Sequence, residues 1–472
     1  MTGQVPQSTL TLPQRFSPAY SHTILGLLVL VYTFNFIDRT IIATLGQAIK
    51  VDLRISDAQL GLLQGFAFAI FYTLLGVPLA RLSERYNRVT IISVCLAVWS
   101  AMTALCGTAQ SYLQLFLYRI GVGIGEAGCS PPAHSLITDL YSARARATAL
   151  AVYSFGIPLG TMLGAVCGGW LAQNISWRVA FVVVGLPGVL LAIVLKLVAR
   201  EPTRGMADPD ELASRVDTPP IREVAKKLFG ARSFVHITIG ATLTSFVGYG
   251  TGTFAQPYFI RTFHLSYAEV GLVFGILNGI SAGTGTILGG ALADWAGKHK
   301  AHWYALVPAI GVLLATPCYV YAYTRETWAF AAWLLLLPGL FHYSYIGPTL
   351  GVMHNLVEPR MRATATALYF LVLNLIALGI GPYFTGKAID LFSGHLFASA
   401  GFGDFAALCP GGVAPPGSAE QLASACTQSL ALGTRYGMVL TMLIFIWASL
   451  HYLLAARSVG KDLAAASVQR ST

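Results

Sequence analysis

Twelve stretches of mostly apolar residues run through this chain, at about 22–46, 57–80, 88–109, 112–137, 146–172, 177–199, 234–261, 266–293, 302–323, 327–355, 362–389 and 434–456. A hydrocarbon layer of ~30 Å takes roughly 20 helical residues. Lipid offers no partner to backbone N–H and C=O groups, so stretches this long must be helices. The pattern predicts an all-α membrane protein with twelve transmembrane helices. Charged residues make up 11% of the chain and the mean hydropathy is +0.64, whereas soluble domains carry about 25% charged residues.

The net charge of +10 raises the question of nucleic acid. Placing the charges removes it, because they sit in short loops between spans or, in the basic 196–233 segment, are interleaved with acids as in a solvated connector. With the N-terminus inside, cytoplasmic segments hold 21 of the 30 Lys and Arg, outer segments seven, and Arg39 and Arg119 lie within spans. That excess of inner positive charge predicts a multi-pass protein of the inner (plasma) membrane with both termini cytoplasmic. No short apolar core with a small-residue cleavage site precedes the first span, so no cleaved signal peptide is expected.

The chain also repeats. A-R-L-S-E-R-Y-N-R (80–88) follows the second span and G-A-L-A-D-W-A-G-K (290–298) the eighth, each with a small residue, an acid four places on and a base four further. R-A-T-A opens the fifth span at 146–149 and the eleventh at 362–365. A polar, proline-bearing connection over 200–233 separates 1–199 from 234–472. Two six-helix halves with the substrate site between them are a transporter plan.

These loops resemble the signature of the major facilitator superfamily, with Ala80, Glu84 and Asn87 departing from its first copy. Arg119, Gly123, Gly125 and Ala127 resemble that family's helix-4 motif. G-E-A-G-C-S-P-P (125–132), Y-S-F-G-I-P-L-G (153–160), N-F-I-D-R (35–39) and E-P-T-R-G (201–205) resemble its Spinster branch. The resemblance implies two pseudo-symmetric six-helix bundles, proton dependence, and a lysophospholipid or sphingoid-phosphate substrate.

A charge at the bilayer centre costs at least ~2.5–3.5 kcal/mol and marks function or a structural ion cluster. Of twenty acids, only Asp38 and Glu126 are deep in these spans, with Arg39 and Arg119 the deep bases. Neighbours on a helix point ~100° apart, so Asp38 and Arg39 do not pair face to face. The resemblance implies that helices 1 and 4 are neighbours, and matching depths along them then predicts an Asp38–Arg119 pair, leaving Glu126 near the midplane and Arg39 on another face. Burial disfavours a carboxylate and a nearby guanidinium favours it, so protonation depends on which arginine is near. Glu126 is therefore the expected proton-exchanging group, with Asp38, Arg39 and Arg119 setting its affinity.

The second half offers uncharged polar and aromatic side chains to a cavity: Tyr249, Gln256, Asn278, His342, Tyr343, Tyr345, Tyr369 and Asn374. One charged wall, with Arg39 and Glu126 among its substrate-binding residues, and one aromatic wall suit an anionic amphiphile, with Arg39 or Arg119 as the head-group partner. Glu84, Arg85, Arg88, Asp294, Lys298, Arg146 and Arg362 are read as gate charges on the cytoplasmic face. The glycines at 121, 123, 125 and 128, and at 156, 160, 164 and 168, are read as close-packing faces, with Pro158 a kink. Cys409 and Cys426 lie in the outer segment 390–433 and are expected to bridge. No phosphate-cradling loop or Cys/His metal spacing occurs, so no cofactor and no enzyme activity are expected. Partners are then the lipid-like or organic-anion substrate, protons and membrane lipids, with the protein a monomer. A carrier of small organic anions or drugs, and a non-transporting receptor on the same fold, are the alternative readings.

Overall fold

The computed structural model describes residues 16–206, 219–358 and 361–471. The polar N-terminal residues that bear on the signal-peptide reading, and linker residues 207–218, lie outside it. The spans form twelve crossings: α1 (Pro18–Leu53), α2 (Asp57–Arg85), α3 (Arg88–Cys106), α4 (Tyr112–Glu126, continuing as Ser130–Leu140), α5 (Arg144–Asn174), α6 (Trp177–Val198), α7 (Arg232–Phe263), α8 (Tyr267–Gly297), α9 (Trp303–Tyr323), α10 (Trp328–Leu356), α11 (Thr364–Ser399) and α12 (Glu420–Ala456). Ten are individually long and apolar enough to cross a membrane. The other two are α4, which is broken, and α7, which is rich in Thr, Ser and Gly.

Local chemistry sets the ends. Ser17 accepts from Tyr20 N to start α1, and Arg54 closes it in the left-handed region at φ 53°. Ser56 with Gln59, and Ser266 with Glu269, form reciprocal capping boxes that start α2 and α8. Interruptions fall where proline removes a donor. Pro131, Pro158 and Pro348 cannot bond the carbonyls of Ala127, Ser154 and Ser344, and α4, α5 and α10 break at those points. In α11 the interruption is a π-helical stretch, Asn374–Leu378.

The α5 glycines let α1 and α5 touch backbone to backbone. A Cβ on Gly160 would stand 2.3 Å from the Thr33 carbonyl oxygen, and one on Gly164 3.0 Å from that of Ile37. This seam runs beside Asp38 and Arg39. The first and second halves meet on the face remote from the linker. There Gly61 of α2 and Gly386 of α11 admit the partner helix's backbone, as do Gly169 of α5 and Gly271 of α8.

The segment 390–433, expected as an outer loop, is largely helical: α11 runs on to Ser399 and α12 begins at Glu420. Its apolar side chains explain this, since Phe397, Phe405, Cys409, Cys426 and Leu430 bury one another in a small core of their own. Cys409 and Cys426 are joined as a disulfide there. On the opposite face, a short amphipathic linker helix (Ile221–Gly230) buries Val224 and Leu228.

Candidate functional site

The four charges of the first half converge, but not in the expected pairs. Arg39 Nε donates to Glu126 Oε2 at 2.7 Å, with the Glu126 side chain fully buried and that of Arg39 27% exposed. Asp38 and Arg119 make no ion pair within 4.0 Å and are both buried. The depth-matched Asp38–Arg119 pairing is thus corrected, and side-chain direction gives the reason. Side chains tilt toward the N-terminus of their own helix. Because α1 and α4 run in opposite directions, Arg39 and Glu126 lean toward each other while Asp38 and Arg119 lean apart.

Aromatic rings hold the arginines. The Arg39 guanidinium lies 4.7 Å from the Tyr72 ring centroid, 4.9 Å from that of Phe68 and 5.3 Å from that of Phe36. Arg119 lies 5.6 Å from the Phe68 ring, so one ring serves two cations. Several buried polar atoms complete no hydrogen bond with protein, among them Asn35 Oδ1, Asp38 Oδ1, Glu126 Oε1, and Nε and Nη1 of Arg119. Such groups are costly unless some state of the molecule satisfies them. The glycines of α4 make room: a Cβ on Gly125 would meet Trp99 N at 2.6 Å, and one on Gly123 the Phe68 carbonyl at 2.6 Å.

The second half contributes a facing wall. Tyr249, mid-way along α7, is 41% exposed and falls within the field of Arg39. Asn278, His342 and Tyr343 line one cavity of about 70 Å³ with Gly248, Tyr319 and Phe274. His342 packs its ring 4.8 Å from Tyr343 and 3.4 Å from the Tyr319 hydroxyl. Gln256 and Tyr369 are buried away from that cavity, Asn374 opens the π-helical stretch, and Tyr345 bonds Ser245 at 2.7 Å.

The gate residues divide. Arg88 is buried, and its guanidinium bonds Asp139, Glu201, Ser135 and the Pro202 carbonyl. It thereby clamps E-P-T-R-G onto α3 and α4, all within the first half, while Arg204 bonds the Ser83 and Tyr86 carbonyls. Glu84 and Arg85 face solvent. Asp294 accepts from the Tyr304 hydroxyl and, through its backbone carbonyl, from Lys298 N; Arg146 and Arg362 bond carbonyls across the breaks that precede α5 and α11. Among the described residues no ion pair joins α1–α6 to α7–α12 on the linker face.

A second charged cluster escaped the sequence reading, which held the deep charges to four and all in the first half. Lys50, Asp57 and Arg261 are buried, with Lys50 and Arg261 each paired to Asp57, beside Asp390. They were missed because α1 and α11 run further than their apolar cores, past Lys50 and Asp390, while Asp57 and Arg261 stand at the very ends of their spans. The S-D-A-Q capping box, which puts Asp57 in the first turn of α2, was the available signal.

The family model described as Major Facilitator Superfamily matches residues 28–382. The chain is 33% identical over 393 residues to an "MFS-type efflux pump" of Mycolicibacterium smegmatis, covering 82% of this chain and 88% of that one. It is 27% identical over 384 residues to a "Sphingosine-1-phosphate transporter SPNS2" of Xenopus tropicalis, covering 78% and 73%. Among solved structures it resembles a bacterial homologue of the human lysosomal transporter Spinster in an inward-facing, unoccupied conformation, with TM-score 0.87, 36% identity and 95% and 99% coverage.

Proposed function

This chain belongs to the major facilitator superfamily, in its Spinster-like branch, and from that membership we propose that it couples proton movement to the carriage of an amphipathic anion by alternating access. The observation that carries the reading is the Arg39–Glu126 pair, with its carboxylate dry and its guanidinium partly exposed. Glu126 holds the Arg39 guanidinium through Nε, and an anionic head group drawn to the same positive charge competes with Glu126 for it. A carboxylate deprived of its counter-ion in a dry site is neutralised by a proton. Substrate binding and protonation of Glu126 then promote one another, which is coupling in the thermodynamic sense. The unpartnered atoms of Asp38 and Arg119 supply alternative partners once α1 and α4 shift.

The aromatic cavity at Asn278, His342 and Tyr343 suits the apolar part of such a substrate, and the similarity to a sphingosine-1-phosphate transporter supports that reading. Residues 1–199 and 234–472 act as the two rocking units about the 200–233 linker. The lysine and arginine excess on the linker face supports both termini in the cytoplasm. The close seams on the far face support a state open to that cytoplasmic side.

The test is flux in proteoliposomes. Glu126→Gln is expected to abolish the response of uptake to an imposed pH gradient; unchanged uptake and unchanged pH response would overturn the coupling. Thermal protection of purified protein by a lysophospholipid but not by small carboxylates is expected, and the reverse would favour the small organic-anion carrier.

A further inference from the structure

On the face remote from the linker, Asp57 at the start of α2 takes Lys50 Nζ at 2.5 Å on one oxygen and Arg261 Nη2 at 2.6 Å on the other. The Arg261 guanidinium also donates to Gln47 Oε1 at 2.7 Å and Thr434 Oγ1 at 2.8 Å. Asp390 of α11 accepts the backbone N–H groups of Asp57 and Ala58, each at 2.9 Å. Two acids and two bases thus balance in one cluster. Four of these contacts cross between halves: Arg261 to Gln47 and to Asp57, and the two from Asp390. The N-terminus of α2 is therefore capped from the other half of the molecule.

The cluster is covered by the disulfide-tied loop. Gly411 and Gly412 adopt φ of +72° and +87° and press onto the end of α1, where a Cβ on Gly411 would meet the Lys50 carbonyl at 2.9 Å. A permanent staple in such a place is better made of apolar side chains, because desolvating ions offsets most of their attraction. Ions suit a joint that must also stand open, since water receives them when the halves part. We propose that Asp390 and Arg261 are the bolt, and Asp57 and Lys50 the keep, of a latch that holds the far face shut and sets the balance between the two access states. The inference rests on alternating access but not on any substrate or on protons.

It is tested by electron–electron distance measurement in lipid nanodiscs. Nitroxides are carried on ketone-bearing amino acids at Gln110 and Thr427, both exposed on that face. Asp390→Asn and Arg261→Gln are expected to raise a longer far-face distance population several-fold, with Arg261→Lys between them and the parent. Asp52→Asn breaks an ion pair to Arg178 on the same face but inside the first half, and should leave the distribution alone. Folded variants with the parent distribution, or an equal shift in Asp52→Asn, would overturn the latch. Arg261→Lys keeps the charge and decides the matter should Asp390→Asn fail to fold. No transport is measured, so a negative result with Glu126→Gln leaves this outcome independent.

Discussion

Arg39 and Glu126 differ from their sequence neighbours by direction more than by depth. Asp38 is next to Arg39 along the chain and comparably placed in the bilayer, yet it finds no cation within 4.0 Å. The geometry makes Arg39→Ala a test of who depends on whom. Removing it strands a fully buried carboxylate, a loss on the order of 3 kcal/mol for a pair of this kind. Arg39→Ala is therefore expected to lower the unfolding temperature in detergent clearly, and adding Glu126→Gln to recover much of that loss. Additive losses would show that the two side chains do not depend on each other. Phe68 adds a second residue-scale expectation. Phe68→Leu removes the ring shared by both arginines while keeping its bulk apolar. It should weaken substrate protection more than it weakens folding, read by comparing melting temperatures with and without lysophospholipid.

At the scale of elements, backbone contact decides what is tolerated. Gly160→Ala puts a methyl group where the Thr33 carbonyl oxygen would be 2.3 Å away, and prising α1 from α5 costs about 1–3 kcal/mol. Gly26→Ala, on α1 where nothing lies within 4 Å, should be neutral. The melting temperatures of the pair check this. The far-face extension of α11 and α12 offers a covalent check. Peptide mapping after alkylation should find Cys409 and Cys426 modified only upon prior reduction, and those positions alone should change that way. Closing a loop of that length contributes about 3 kcal/mol in the chain-entropy account, so Cys409→Ser should lower thermal stability measurably.

At the scale of the molecule, two sets of charges divide the work. One is buried within the first half, and the other joins the halves across the far face. A membrane-impermeant thiol reagent added to intact cells should label Gly417→Cys on the far face and spare Lys298→Cys on the linker face. Equal labelling would reverse the orientation argued from lysine and arginine counts.

The sequence by itself determined the class of molecule, because a run of twenty apolar residues has one way to satisfy its backbone in lipid. Pro158 was legible as a break, and serines cap the starts of five of the twelve crossings. Gly156, Gly160, Gly164 and Gly168 announced a close-packing face through their spacing alone, with α1 as its partner supplied by the structure, and Asp38, Arg39, Arg119 and Glu126 stood out by their cost. Partners were another matter. Whether Glu126 meets Arg39 or Arg119 turns on the lean of side chains from two antiparallel helices, which no one-dimensional depth contains. That Lys50, Asp57, Arg261 and Asp390 form a dry cluster was decided only when residues 204 and 333 positions apart came together. Burial belongs to the assembled surface, and each of those charges read alone stands at a helix end where water would have kept it.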